Sequence, residues 1–245
     1  MLEVNRIYKI FDGKDVLTDV STSYEKGIIN MIIGSSGSGK TVLLKCIVGL
    51  LHPDKGSILY DGRNFTEMNY REQKKVRLEI GMLFQGSALF NSMTVAENIS
   101  FPLKMFTQKS PKEISKRVEF CLERVNLDIK VGKLYPSEIS GGMQKRVGIA
   151  RAIVNEPKYL FYDEPNSGLD PKTSRVIDQL IKDITNEFQT TTIVNSHDMT
   201  SVFEIADKVV FIHDGQNWWE GNPAQIDASK NAELLQMMDA SGREV

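Results

Sequence analysis

The chain has 245 residues, enough for one large domain or a core with a small satellite, and its 41% hydrophobic content can fill a real core. Its 30 Lys plus Arg are balanced by 32 Asp plus Glu, which excludes a global basic field that would recruit nucleic acid or an acidic membrane surface. The longest apolar runs, "IINMIIG" and "LLKCIVGLL", fall short of the roughly 20 residues of a membrane-crossing helix. The start, "MLEVNRIYKIFDG", places charges and a turn where a secretory signal needs an apolar core, so a cytoplasmic location is expected. Cys46 and Cys121 are not spaced as a metal knuckle and are expected to be buried, reduced thiols.

In chain order, the first sixty or so residues alternate short β-type runs with Asp-Gly turns at Asp12-Gly13 and Asp61-Gly62, which predicts an N-terminal antiparallel β element. From Ile28 the texture changes. "IINMII" suits a strand buried on both faces, and a glycine loop and a helix from Thr41 to Leu51 follow it. Between Arg71 and Asn155 strand signals are few. The clearest helix there begins at "SPKE", where Ser110 caps, Pro111 takes the first helical position and Glu113 completes a capping box. Ile114, Val118, Cys121, Leu122 and Val125 form its apolar stripe. "YLFYD" (159–163), "TTIVN" (191–195) and "VVFI" (209–212) are further buried-strand runs alternating with helices. The expected fold class is α/β: a P-loop NTPase core with a mostly parallel sheet, an N-terminal antiparallel β element and an inserted α-helical subdomain. Residues 1–85 and 156–220 form the core, 86–155 the helical subdomain and 221–245 a tail. The tail's "ELLQMM" reads as a final helix packed on the body or as a partner contact. Trp218 and Trp219 follow a turn at Asp214-Gly215 and are assigned to packing.

"GSSGSGKT", Gly34 to Thr41, matches G-x-x-x-x-G-K-[ST] between a buried strand and a helix. Gly37 and Gly39 let backbone N–H groups converge on phosphates, Lys40 supplies a charge to the β- and γ-phosphates, and the Thr41 hydroxyl can ligate Mg²⁺. "YLFYDEP" ends a strand with two carboxylates, Asp163 to hold Mg²⁺ through water and Glu164 to take a proton from an attacking water. "EISGGMQKR" poses a different question. Interior glycines cost roughly 1 kcal/mol each against alanine, and Lys145 and Arg146 lie near a helix start, where a cation is unfavourable by about 0.3 to 1 kcal/mol. A second phosphate site, with bare N–H groups and a free Ser140 hydroxyl, resolves both costs.

The ordered set "GSSGSGKT", "LFQGSALF", "EISGGMQKRVGIARAI", "YLFYDEP", "NSGLD" and "NSHD" resembles the ATP-binding cassette over nearly the whole chain. That resemblance implies ATP and Mg²⁺ as cofactors and a head-to-tail dimer with a second copy of the chain. ATP would lie between one subunit's Gly34, Ser35, Ser36, Gly37, Ser38, Gly39, Lys40, Thr41 and Val42 and the other's signature Ser140, Gly141, Gly142, Met143 and Gln144. It also implies Glu164, His197 and Gln85 as catalytic residues and Thr41, Gln85 and Asp163 around the metal. Ser167, Gly168, Leu169 and Asp170 would form the loop coupling the two sites, and Phe11 would stack on adenine, with Tyr8 as the competing aromatic. Met143, where the signature usually has glutamine, and "MLFQGSALFNSMTVAENISFPL" look like the ATPase of MCE-type phospholipid transporters of a diderm envelope. That branch implies integral-membrane permease subunits, docked near Leu89, Phe90 and Met93, an MCE-domain lipid-binding protein and in some systems a small cytoplasmic regulator. The chain would then lie peripherally on the inner face of the cytoplasmic membrane. The alternative is a cassette for lipoprotein, peptide or small-molecule transport. No sustained heptad argues for a chromosome-associated cassette, and no nucleic-acid partner is expected.

Overall fold

The computed structural model describes residues 1–239, which fall into two compact units, 1–77 with 191–239 and 78–190. In the first unit, β1 (Leu2–Phe11) and β2 (Lys14–Tyr24) pair antiparallel around Asp12 and Gly13, at φ 50° and 77°. Two successive positive φ values make the turn whose twist matches that of its strands. Asp61 and Gly62, at φ 48° and 76°, repeat the device between β4 (Lys55–Tyr60) and β5 (Arg63–Asn64), giving a sheet of order β2-β1-β4-β5.

A second sheet is built on β3 (Ile29–Ile33), all five residues of which are buried. It pairs in parallel with β8 (Thr191–Asn195) and β9 (Lys208–His213), and β9 pairs antiparallel with β10 (Gln216–Gly221). Asn30 lies inside this apolar run because its amide donates to the carbonyls of Glu25 and Thr192 while accepting from Glu25 N. The first helix, α1 (Lys40–Ile47), stops short of the expected Leu51. Gly49, at φ 75°, turns the chain, and a Cβ there would lie 2.5 Å from the Phe65 ring. Leu50 N and Leu51 N both close back on Lys45 O, which ends the helix with its last carbonyls satisfied. This unit also holds most of α2 (Tyr70–Leu78), together with α7 (Met199–Ile205) and α8 (Ala232–Asp239). Leu234 and Met238 of α8 are buried, so "ELLQMM" packs on the body, while residues 240–245 of the expected tail lie outside the described residues.

In the second unit, β6 (Ile80–Leu83) and β7 (Tyr159–Asp163) pair in parallel. β6 corrects the strand-poor expectation for 71–155. Four residues are too few for a pattern to show, and Gly81 is required because a Cβ would meet Ala152 O at 2.2 Å. Regular structure from 86 to 155 is otherwise helical: α3 (Val95–Phe106), α4 (Pro111–Arg124), two short 3₁₀ turns and α5 (Gly141–Ile153). The predicted capping box of α4 is present, with Ser110 Oγ accepting from Glu113 N and Glu113 Oε2 accepting from Ser110 N. Thr94 and Glu97 form the same box on α3. The last helix, α6 (Pro171–Phe188), starts on Asp170 and Pro171.

Candidate functional site

In the first unit, the phosphate loop runs from the end of β3 into α1. Its curl depends on close backbone approach at two glycines. A Cβ on Gly34 would fall 2.2 Å from Ile212 O at the end of β9, and one on Gly39 (φ 105°) would meet Leu17 Cδ2 and Val16 O of β2 at 2.9 and 3.0 Å. Gly37 (φ 83°) has open space beside it instead. Ser35 and Ser36 are exposed and Ser38 is buried. Lys40 is also buried, with Nζ donating to Gly34 O at 2.7 Å and Ser35 O at 2.9 Å, so the loop wraps its own ammonium group. Thr41 and Val42 follow at half-buried positions, and Asn195 Nδ2 lies 3.4 Å from Thr41 Oγ1. His197, two residues beyond β8, is exposed. Phe11, the last residue of β1 and paired with Lys14, is 40% exposed, with Lys9 Nζ 5.3 Å from its ring centroid. Tyr8 is half-buried under Lys55 Nζ at 5.7 Å.

In the second unit, Asp163 ends β7 and is buried, and Glu164 follows with a left-handed φ of 49°, an uncommon conformation for a residue with a Cβ. Gln85 is exposed just after β6. Ser167, Gly168 and Leu169 form a turn held by Ser167 N to Glu164 O and Leu169 N to Asn166 O. Asp170 caps α6, accepting from Lys172 N and Thr173 N at 3.1 Å and from the Thr173 hydroxyl. Those bonds hold its carboxyl below the usual carboxylate range, the Thr173 hydroxyl contributing most.

The signature stretch sharpens two expectations and corrects two. Gly141 and Gly142 are the first two residues of α5, not interior ones, so the full interior cost does not fall on them. They also differ from one another. A Cβ on Gly141 meets nothing within 4 Å, whereas one on Gly142 would lie 2.6 Å from Thr173 Cγ2. The Ser140 hydroxyl is not free: it accepts from Met143 N at 3.3 Å as the helix cap. Lys145 and Arg146 do not stand beside the open end of the helix either. Lys145 is buried and donates to Gln85 O and Glu164 O, and Arg146 donates to Asn126 O. Met143 and Gln144 are half-buried, Gln144 donating to Pro136 O at 2.9 Å.

Sequence reasoning missed the cations that brace the loop after β6. Their signal was the three-residue spacing of Lys145, Gly148 and Arg151 along one helix face. It also missed Asn98, fully buried, which accepts from Phe90 N and donates to the carbonyls of Phe90, Met93 and Thr94. Phe90 is thereby held outward, 42% exposed and 4.9 Å from Phe101. Leu89 and Met93 are half-buried. Trp218 is only partly packed, being 45% exposed with its ring tilted 52° against His213 at a centroid distance of 4.4 Å. Trp219 keeps that assignment, since its ring packs against Gly221.

The donor set fits a nucleotide and its metal. Backbone N–H groups of a glycine loop at a helix start, with an ammonium inside it, form an anion site. Within the first unit, the Thr41 hydroxyl is a hard oxygen ligand of the kind Mg²⁺ takes. Among the described residues no three His, Cys, Asp or Glu cluster as a metal cage.

A family model described as "ABC transporter" matches residues 17–167. The methionine import ATP-binding protein MetN of Haemophilus influenzae is 38% identical over 240 residues, 96% of this chain and 69% of that protein. The probable ribonucleotide transport ATP-binding protein mkl of Mycobacterium tuberculosis is 39% identical over 211 residues, 85% of this chain but 58% of its own length. Among solved structures, a dimeric post-hydrolysis state of the ATP-binding cassette MJ0796 bound to ADP and Pi superposes with a TM-score of 0.83 at 30% identity, covering 91% of this chain and 98% of that one. The cbiO1 subunit of Clostridium perfringens, part of the transporter complex cbiONQ, gives 0.84 at 31% identity, covering 98% and 94%.

Proposed function

We propose, from the premise that the chain belongs to the ABC transporter family and is an ATP-hydrolysing subunit using ATP with Mg²⁺, that it powers phospholipid movement between membranes through an MCE-type complex. Its partners would be a second copy of itself, two permease subunits and an MCE-domain lipid-binding protein, with the chain on the inner face of the cytoplasmic membrane. None of its described helices is long and apolar enough to cross a membrane, so attachment to the bilayer falls to the permease.

The observation that carries permease docking is the surface after Gln85. Phe84 and Phe90, on either side of Gln85, are 36% and 42% exposed, and Met105 and Phe106 at the end of α3 are 60% and 48% exposed; large exposed apolar side chains in this number support an interaction site. The lipid branch rests on Met143 and on the resemblance of residues 82–103.

Bound Mg²⁺ would neutralise charge developing on the β- and γ-phosphate oxygens. Lys40 and the N–H groups of Gly34 to Val42 hold the phosphates, Thr41 and Asp163 supply metal ligands, and Gln85 orients the water and the metal shell. Glu164 accepts the proton of the attacking water, and His197 donates a hydrogen bond to the γ-phosphate. Ser140 to Gln144 present the start of α5 to the other subunit's ATP, the loop 167–170 couples the two sites, and Phe11 stacks on adenine.

A second reading, import of a small molecule such as an amino acid, is favoured by the MetN similarity over 96% of this chain. Purifying the tagged chain from membranes with its permease decides between them. An MCE-domain protein and phospholipid are expected to copurify and to stimulate hydrolysis. Stimulation by methionine or a ribonucleotide, with no MCE-domain protein present, sinks the lipid reading.

A further inference from the structure

Helix α5 presents Lys145, Gly148 and Arg151 on one face to the segment 83–88. The two pack at backbone distance, since a Cβ on Gly148 would lie 2.5 Å from Leu83 Cδ1 and 3.5 Å from Ser87 Cβ. On either side of that contact a cation donates to carbonyls of the loop. Lys145 Nζ reaches Gln85 O at 2.5 Å, and Arg151 reaches Ser87 O at 2.5 Å and Ala88 O at 2.8 Å. Lys145 also reaches Glu164 O at 3.2 Å, so one ammonium bridges the two segments that carry Gln85 and Glu164.

Three of the residues involved, Ser87, Ala88 and Glu164, have left-handed φ values of 59°, 46° and 49°. Residues with a Cβ stay in that region only when their surroundings hold them there. Lys145 is 6% exposed, and burial lowers its pKa while the charges of Glu164 and Asp163 raise it. Such a desolvated cation is retained where its hydrogen bonds compensate its burial.

We infer that Lys145 is a positioning residue, holding the Gln85 and Glu164 backbones in fixed register on the helix whose first turn is Ser140-Gly141-Gly142. The inference rests on the roles given above to Gln85 and Glu164. A shift of either backbone moves its side chain relative to the reacting water, and a misplacement of about 1 Å costs on the order of 100-fold in rate. Phosphate binding by Lys40 and its loop does not pass through Lys145, so the effect belongs in kcat.

The test compares Lys145→Met, which keeps chain length and removes the donor, with Lys145→Gln, which keeps a neutral amide donor. In the full-length chain, Lys145→Met is expected to lower kcat about 30-fold with KM for ATP and Kd within about two-fold. Amide exchange in residues 84–90 should rise about ten-fold while residues 171–188 stay unchanged. Lys145→Gln is expected to bring kcat back to within about three-fold of the parent and to leave exchange in 84–90 about three-fold faster, because its amide has donors for both carbonyls but a shorter reach than the lysine ammonium. Parental kcat in Lys145→Met, a loss carried by KM, or a glutamine variant no better than the methionine one overturns the inference. Where Lys145→Met does not fold, exchange in Lys145→Gln decides, and parental protection of 84–90 overturns it. Glu164→Gln is assayed alongside. Parental hydrolysis there removes Glu164 as the base, a failure of the functional reading that leaves the exchange result standing.

Discussion

Lys40 occupies a position that no other side chain can fill in the same way. Its ammonium donates to Gly34 O and Ser35 O and is buried within the loop, and the proposed function gives it the phosphate oxygens as partners. Lys40→Ala is expected to reduce phosphate release by about 100-fold or more, because a transition-state charge loses a preorganised counter-ion. Lys40→Arg should not restore it, since a planar guanidinium does not fit a site shaped for a compact point charge. Near-parental release from either variant would refute the assignment. Lys40 was legible in the sequence because G-x-x-x-x-G-K-T fixes its surroundings within eight consecutive residues. Lys145 was not. Its partners lie 60 positions before it and 19 after it, and the spacing of Lys145, Gly148 and Arg151 marks a shared helix face without revealing what that face meets.

At the scale of the element, α5 joins several functions on one rod. Its start carries the two glycines, and their unlike surroundings separate two roles that the sequence merges. Gly142 lies against Thr173, itself bonded to Asp170, so a side chain there would press on the cap of α6. Gly141 has open space, and an acidic residue in a first turn favours the helix dipole by about 0.3 to 1 kcal/mol. Gly141→Asp is therefore expected to leave the melting temperature and ATP binding by the isolated chain unchanged. It should still lower hydrolysis by at least about ten-fold, because it sets a carboxylate toward the other subunit's phosphates. A variant that loses ATP binding as a monomer would show that the signature serves its own subunit instead. Element starts were the most legible part of the fold: the Ser110 capping box and all three Asp-Gly turns stand where local chemistry puts them. Element ends were less so. Gly49 turns the chain after α1 at φ 75°, and the Phe65 ring that leaves no room for a Cβ there lies outside the helix's own sequence.

For the whole molecule, the question is what one copy lacks. The chain carries one phosphate loop and one signature, and the proposed pairing makes two sites from two copies. Glu164→Gln is expected to bind Mg²⁺-ATP without hydrolysing it and to elute at twice the monomer mass on size exclusion when ATP is present. Elution as a monomer at saturating ATP would count against the sandwich. The residues assigned to each half can be located in the sequence because each half sits in a short motif. The walls behind those motifs were not. The phosphate loop of residues 34–41 is backed by Val16 and Leu17 of β2 and by the turn at Asp214-Gly215, where Gly215 N donates to Ser38 O at 3.0 Å and Thr18 N to Gly215 O at 2.8 Å. During synthesis, at roughly 5 to 20 residues per second, the ribosome translates the loop on the order of 10 to 35 seconds before the turn that braces it. The nascent chain therefore carries the motif long before it has the shape, and competence to hold nucleotide arrives late, with the last strands of the sheet.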